Sequence, residues 1–87
     1  MEKTPGTSDL ILYVKRGCPY CTEAIRYLDQ HGIRFDKVDV LGNDEALQEL
    51  EKVSGQDSTP TLVWDGHVLA DFDVDELEEF LAQHRPR

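Results

Sequence analysis

Two cysteines separated by two residues, Cys18 and Cys21, are the side chains in this sequence best suited to chemistry. A run of β-forming residues ends shortly before them, and Pro19, which suits the first position of a helix, lies between them. A cysteine pair of this spacing at the junction of a strand and a helix is typical of thiol–disulfide exchange. We therefore predict that the pair cycles between a dithiol and a disulfide.

The positions of the two cysteines along the predicted helix indicate different roles. Cys18 lies at or just before the N-terminus, where free N–H groups and the macrodipole stabilise a thiolate, and Lys15 and Arg16 add positive charge nearby. Cys21 lies one turn further on, on the apolar stripe of the helix, so we expect it to be more buried and to have a higher pKa. Cys18 is therefore the predicted attacking thiolate and Cys21 the resolving thiol.

Three other interpretations of the pair are weaker. A structural disulfide between cysteines so close in sequence would constrain little of the unfolded chain, and such disulfides are rare in a reducing compartment. A metal site would need two further ligands, and the three histidines show no zinc-type spacing, so we expect no bound metal. Two inert buried cysteines would leave Pro19 and the helix start unexplained.

Hydrophobic patterning and turn signals predict the elements that position the pair. Strands are predicted at residues 10–14, 33–40, 61–64 and 67–69, and helices from Pro19 to Gly32, from residues 42–45 to Gly55, and from Asp73, which forms a capping box with Glu76, to residue 83. The first strand, helix and second strand predict a right-handed parallel βαβ unit. The turn Asp65–Gly66 predicts an antiparallel hairpin between the last two strands.

Length and charge exclude several classes of protein. A chain of 87 residues has room for one compact domain. We expect a flexible segment at 1–8, the domain at 9–83 and a frayed tail at 84–87. No apolar run is long enough to span a membrane and no signal peptide is recognisable, so we expect a cytoplasmic protein. The net charge is -9, and twelve acids lie after residue 43, which argues against a nucleic-acid partner.

The dipeptide Thr59–Pro60 directly precedes the third predicted strand. A cis peptide bond at this place would present the Thr59 backbone as an edge for an extended peptide. The residues alone favour an ordinary trans proline at a strand start, because cis is the minority form.

The segment Lys15–Cys21, with the sequence KRGCPYC, resembles the active site of the dithiol glutaredoxins. Ser58-Thr59-Pro60 falls where that family has its Thr-Val-Pro turn, and the resemblance covers about residues 9–83. It implies an α/β protein with the thioredoxin fold, in which a four-stranded mixed sheet of order 2-1-3-4 is flanked by three helices. It also implies that Pro60 is cis and faces the cysteines.

The resemblance further implies a glutathione-dependent thiol–disulfide oxidoreductase that reduces protein disulfides and glutathione mixed disulfides. Its partners would be glutathione and disulfide-bearing or glutathionylated proteins, and we expect a monomer. By resemblance the glutathione site comprises Lys15 at the glycyl carboxylate, Tyr20 beside the tripeptide, Thr59 and Pro60 at the cysteinyl backbone, and Phe72, Asp73 and Val74 at the γ-glutamyl carboxylate. A helix N-terminus is in any case a reasonable anion site.

Two departures from the family pattern bear on the reductant. Asp57 stands where the family often has an arginine that holds the glycyl carboxylate, and residues 70–74 (ADFDV) replace a segment that is often Gly-Gly-x-Asp-Asp. Residues 71–74 are closer to the glutaredoxin-like electron donors of ribonucleotide reductase, which are recharged by thioredoxin reductase. The Pro-Tyr between the cysteines is unusual for those donors, so glutathione remains our first choice.

Two non-enzymatic classes are also possible. Some glutaredoxins carry an iron–sulfur cluster between two subunits, but one cysteine per chain then requires a dimer and an external thiol, and the Pro19 position disfavours it by resemblance. A protein-interaction module with this fold would not need the cysteine pair. Trp64 and Phe72 are accordingly interpreted as core or rim aromatics.

Overall fold

The structure is a computed structural model in which residues 10–84 are described. Along the chain the elements are β1 (Leu10–Val14), α1 (Pro19–Gln30), β2 (Asp36–Asp39), α2 (Asp44–Ser54), β3 (Thr61–Trp64), β4 (His67–Ala70) and α3 (Val74–His84). The predicted flexible segment 1–8 and residues 85–87 of the predicted tail lie outside the described residues. His84, the first residue of the predicted tail, is the last described residue of α3, and its ring lies 4.1 Å from that of His67 and 4.6 Å from that of Phe80 between centroids.

The four strands form one mixed sheet in the order β2-β1-β3-β4, which confirms the predicted topology. β1 pairs with β2 in parallel and with β3 antiparallel, and β3 pairs with β4 antiparallel. The parallel pair requires a crossover, and α1 supplies it. Because β1 and β3 are adjacent and antiparallel, the C-terminal end of β1 and the N-terminal end of β3 lie side by side at the same end of the sheet.

The second strand is shorter than the predicted span 33–40. Pairing runs only from Asp36, opposite Ile11, to Asp39, opposite Val14. Residues 33–35 are not in a strand, and the Ile33 N–H donates instead to the Leu28 carbonyl of α1 at 2.9 Å. Ile33 therefore packs against the core from an unpaired segment.

Two apolar clusters lie on opposite faces of the sheet. Alternate residues of β1 divide between them, since Leu12 faces α1 and α3 whereas Tyr13 faces α2. The larger cluster comprises Leu10, Leu12, Val14, Cys21, Ala24, Leu28, Leu62, Trp64, Phe72, Leu77, Phe80 and Leu81. The smaller comprises Tyr13, Val40, Ala46 and Leu50. The fold is thus a three-layer arrangement with Cys21 packed into the larger core.

The ends of α2 follow the predicted signals. The Asn43 side chain accepts a hydrogen bond from the Ala46 N–H at 3.2 Å, which caps the helix. Gly55 closes it in the left-handed conformation, with φ 74°, which a residue with a side chain rarely adopts. After this turn the chain runs from α2 back toward the end of the sheet at which β1 ends.

Candidate active site

Cys18 is the N-cap of α1. A turn after β1 places it there: the Cys18 N–H donates to the Lys15 carbonyl at 3.2 Å, and Gly17 has φ 84°, a left-handed value suited to glycine. The Cys18 backbone is extended, as is usual for an N-cap, and its Sγ accepts a hydrogen bond from the Cys21 N–H at 3.3 Å. The sulfur therefore satisfies one of the free donors at the helix start.

The surroundings of Cys18 favour its thiolate. Burial alone would raise its pKa, but hydrogen bonds from the side chain and backbone of Cys21 reverse this and lower the pKa below that of an ordinary thiol. The Thr59 hydroxyl and the Tyr20 backbone add to the lowering. Fixed hydrogen-bond donors, rather than neighbouring cations, thus account for the effect.

The expected contribution of Arg16 to the thiolate is not found. Its Nε lies 2.9 Å from Oδ2 of Asp39 at the end of β2, so the guanidinium is in an ion pair. Charge at Arg16 is balanced locally by this carboxylate. The ion pair instead joins the loop before Cys18 to the neighbouring strand.

Cys21 has the opposite environment. Its side chain is 2 % exposed and belongs to the larger core. Burial raises its pKa, and its hydrogen bond to Cys18 raises it further. The two thiols are both free and differ in exposure, Cys18 being half-buried. The pKa values therefore move in opposite directions, as their positions on the helix led us to expect.

The loop before β3 brings Thr59 to Cys18. The Thr59–Pro60 peptide bond is cis, as the family resemblance implied and against the expectation from the residues alone. The Cys18 thiol lies 4.0 Å from the Thr59 carbonyl oxygen, and the Thr59 hydroxyl lies 4.0 Å from the Cys18 sulfur. Residues 41 positions apart thus meet where the end of β1 and the start of β3 adjoin.

A side-chain clasp shapes this loop and was not foreseen from the sequence. Gln56 Nε2 donates to Thr61 Oγ1 at 3.1 Å and Gln56 Oε1 accepts from the Ser58 N–H at 2.7 Å. Thr61 is fully buried and donates to the Ser58 carbonyl at 2.7 Å. The available signal was the density of polar side chains around the proline, since such residues bond to nearby backbone in turns.

The family model described as Glutaredoxin matches residues 10–69, which include both cysteines, Thr59 and Pro60. The chain belongs to the glutaredoxin family. This assigns the dithiol to thiol–disulfide oxidoreductase chemistry.

Several relatives share most of this glutaredoxin domain. A glutaredoxin of Neisseria meningitidis is 34% identical over 70 residues, which cover 78% of this chain and 82% of that protein. The gene 56 protein of Mycobacterium phage L5 is 35% identical over 71 residues, covering 80% of this chain and 69% of that protein. The hybrid peroxiredoxin hyPrx5 of Haemophilus influenzae is 30% identical over 71 residues, and the match spans only 28% of its length.

Solved structures show the same fold. The thioredoxin-like protein BC3987 superimposes with a TM-score of 0.75 at 29% identity, covering 83% of this chain and 99% of that one. A buckwheat glutaredoxin, solved as a complex with glutathione, has a TM-score of 0.66 at 23% identity, covering 86% of this chain and 69% of that one. The second likeness concerns the fold alone.

Several residues predicted to bind glutathione in this glutaredoxin surround Cys18. Lys15 is half-buried at the end of β1, and Tyr20 in the first turn of α1 is 57% exposed. Thr59 is half-buried, and Pro60 beside it is buried. The structure thus brings these four positions together around the N-terminal cysteine.

The start of α3 adjoins the same site, because the Asp71 N–H donates to the Pro60 carbonyl at 2.8 Å. Its side chains, however, are otherwise engaged. Phe72 is 2% exposed, and its ring packs in the larger core. Asp73 Oδ1 accepts from the Glu76 N–H at 2.9 Å, and Glu76 Oε1 accepts from the Asp73 N–H at 3.1 Å.

This reciprocal pair is the predicted capping box. It uses the Asp73 N–H, which the resemblance would offer to a γ-glutamyl carboxylate, and it places two carboxylates at the helix start. Val74, the first residue of α3, is half-buried. The glutamyl end of the predicted site is therefore electrostatically the least favourable part of it.

The described part of the chain was searched for a metal site and for a membrane-spanning helix. Within residues 10–84, no three or more His, Cys, Asp or Glu side chains are grouped so that they could hold a metal ion. Over the same residues, no helix has the length and apolar character needed to cross a membrane.

Proposed function

We propose that this protein is a glutathione-dependent oxidoreductase that reduces protein disulfides and glutathione mixed disulfides through Cys18 and Cys21. The observation that carries the proposal is the position of the Cys18 sulfur. It caps α1 at 3.3 Å from the Cys21 N–H and lies beside the backbone of Thr59. A nucleophile, a resolving thiol and a peptide edge are therefore adjacent.

In the first step the Cys18 thiolate attacks one sulfur of the substrate disulfide. The substrate S–S bond breaks, a mixed disulfide with Cys18 forms, and the released substrate sulfur takes up a proton as a thiol. In the second step Cys21 loses its proton and attacks the Cys18 sulfur. The substrate leaves as its second thiol, and the protein is left with a Cys18–Cys21 disulfide.

Two glutathione molecules then restore the dithiol. The first attacks the protein disulfide and forms a mixed disulfide with Cys18, and the second releases it as glutathione disulfide. Two electrons pass from two glutathiones to the substrate in each cycle. For a glutathionylated substrate, attack by Cys18 alone releases the protein, so Cys21 is not required.

The raised pKa of Cys21 suits the order of these steps. A buried thiol that stays protonated does not compete with Cys18 for the incoming disulfide. It also lies next to the sulfur that it must attack, because its own N–H is bonded to that sulfur. Proximity thus compensates for a low thiolate fraction.

Glutathione recognition would combine attraction and repulsion. Lys15 and the start of α1 attract carboxylates, whereas exposed Asp57 and the capping box of α3 oppose them. We expect glutathione to be bound, but less tightly than by a relative with a cation at position 57. Since these groups are largely exposed, the opposition should weaken as salt is added.

The test is reduction of a glutathionylated peptide coupled to glutathione reductase, run beside the same assay coupled to thioredoxin reductase. We expect turnover with glutathione, and Asp57→Arg should lower its KM roughly threefold at low salt, a size typical of exposed charge pairs. Glu78→Arg makes the same charge change on an exposed face of α3 and is the control. Turnover with thioredoxin reductase alone would instead identify a ribonucleotide reductase type of electron donor.

A further inference from the structure

A pocket of about 250 Å³ lies beside the redox pair, on the side away from Thr59. Its wall includes Lys15, Arg16, Cys21, Thr22, Lys37 and Asp39. The pocket lies between α1 and β2, whereas Thr59 precedes β3, and β2 and β3 flank opposite sides of β1. A peptide bound along the Thr59 backbone would therefore have to extend past Cys18 to reach the pocket.

The pocket concentrates the positive charge of an acidic protein. Of the six lysines and arginines in residues 10–84, three line it, whereas only one of the sixteen acids there does so. Arg16 is paired with that acid, Asp39. Within the described residues, the ammonium groups of Lys15 and Lys37 have no ion-pair partner. Two cations are thus available to an anion.

The strand register explains why these charges meet. Lys37 pairs with Leu12 and Asp39 with Val14, so both point toward the face of the sheet that carries α1. β2 is an edge strand, and Lys37 is exposed there. On its inner side the pocket reaches Cys21, whose N–H contacts the Cys18 sulfur.

We propose that this pocket binds a carboxylate side chain of the protein whose disulfide is being reduced. The proposal rests on the proposed function and names its substrate class: proteins with an acidic residue a short distance along the chain from the attacked cysteine. An extended chain advances about 3.3 Å per residue, so a Glu or Asp two or three residues from that cysteine lies roughly 7–10 Å from it, within reach of a pocket whose wall includes Gly17 and Cys21 next to Cys18.

Glutathione itself fits the pocket less well than a longer chain. The pocket shares Lys15 with the predicted glutathione site, but glutathione has only one residue on either side of its cysteine, whereas Lys37 lies on the edge strand β2, further from the Thr59 loop. The strongly acidic remainder of the surface disfavours acidic partners in general. A basic pocket at the reaction centre would select those acidic partners whose carboxylate is correctly placed.

The experiment uses the full chain, reduced with dithiothreitol and then freed of it, in single turnover with two disulfide-cyclised peptides. The peptides are identical except for Glu or Gln two residues outside one cysteine. The rate of peptide reduction is followed by acid quenching and chromatography. No glutathione is present, so a failure of the glutathione assay leaves this measurement unaffected.

We expect the parent to reduce the Glu peptide roughly threefold faster than the Gln peptide at low salt. Lys37→Gln should bring this ratio near one, and Lys37→Glu should invert it. Lys52→Gln makes an equal charge change at an exposed position of α2 and should leave the ratio unchanged. A parent ratio near one, a ratio unchanged in Lys37→Gln, or an equal fall in Lys52→Gln would each overturn the proposal.

Discussion

Removal of the Thr59 hydroxyl tests whether hydrogen bonds to sulfur set the reactivity of Cys18. The hydroxyl lies 4.0 Å from the sulfur and lowers its pKa. Thr59→Val keeps the β-branched shape and deletes only the donor. We therefore expect the variant to have a higher Cys18 pKa, and so a smaller thiolate fraction at any pH below it.

The distance sets the size of the effect. A distance of 4.0 Å is at the outer limit for a hydrogen bond to sulfur. The free energy of this hydrogen bond should therefore be at or below the low end of the usual range, about 0.5 kcal/mol. This corresponds to a roughly twofold loss of thiolate below the pKa. The alkylation rate would fall by less than the thiolate fraction does, because a more basic thiolate is a better nucleophile.

The assay is thiolate absorbance against pH, in a Cys21→Ser background that leaves one thiol. Serine retains a side-chain donor at position 21, so the main support of the Cys18 thiolate is largely kept. Thr59→Ser is the matched control, since it keeps the hydroxyl and should titrate with the parent. If Thr59→Val titrates with the parent as well, the assignment of this hydrogen bond is wrong.

Three further outcomes follow from the structure. Cys18→Ser should abolish all exchange, whereas Cys21→Ser should retain deglutathionylation but lose most reduction of protein disulfides, as measured in parallel assays. Asp73→Ala should destabilise the fold by about 1 kcal/mol in urea unfolding, while Glu78→Ala, at an exposed position beyond the first turn of α3, should not. Burial, and then the Glu49 carboxylate, raises the pKa of Tyr13 to about 12. The neutral phenol therefore contributes fully to folding stability below pH 10, and this contribution is lost as the pH rises through 12. The variant Tyr13→Phe should lose less stability than the parent between pH 10 and pH 12 in urea unfolding.

The residues alone were sufficient for the element order, the parallel βαβ unit and the antiparallel hairpin, whereas the strand order of the whole sheet came from the family resemblance. The hairpin turn Asp65–Gly66, the Asn43 and Asp73 caps and the proline after Cys18 are local signals, and each acts within a few residues. The cis form of Thr59–Pro60 was available only through the family resemblance. Local preference favours trans, because cis is the minority form.

Features that depend on register or on distant contacts could not be predicted. The pocket beside Cys21 exists because Lys37 and Asp39 pair opposite Leu12 and Val14, and no local signal fixes that alignment. The ion pair between Arg16 and Asp39 has the same origin. The Gln56 clasp likewise requires the turn that buries Thr61, so its polar residues were indistinguishable from an ordinary loop.

The use of a cysteine sulfur as the cap of α1 has a thermodynamic consequence for the redox cycle. As a thiolate, the Cys18 sulfur is a charged acceptor for the Cys21 N–H; in the disulfide it is neutral and bonded to Cys21 itself. Oxidation therefore weakens the cap of the helix that carries the pair. Any stabilisation specific to the dithiol makes the disulfide easier to reduce, so the helix start displaces the reduction potential upward, toward values at which a monothiol pool can recharge the protein.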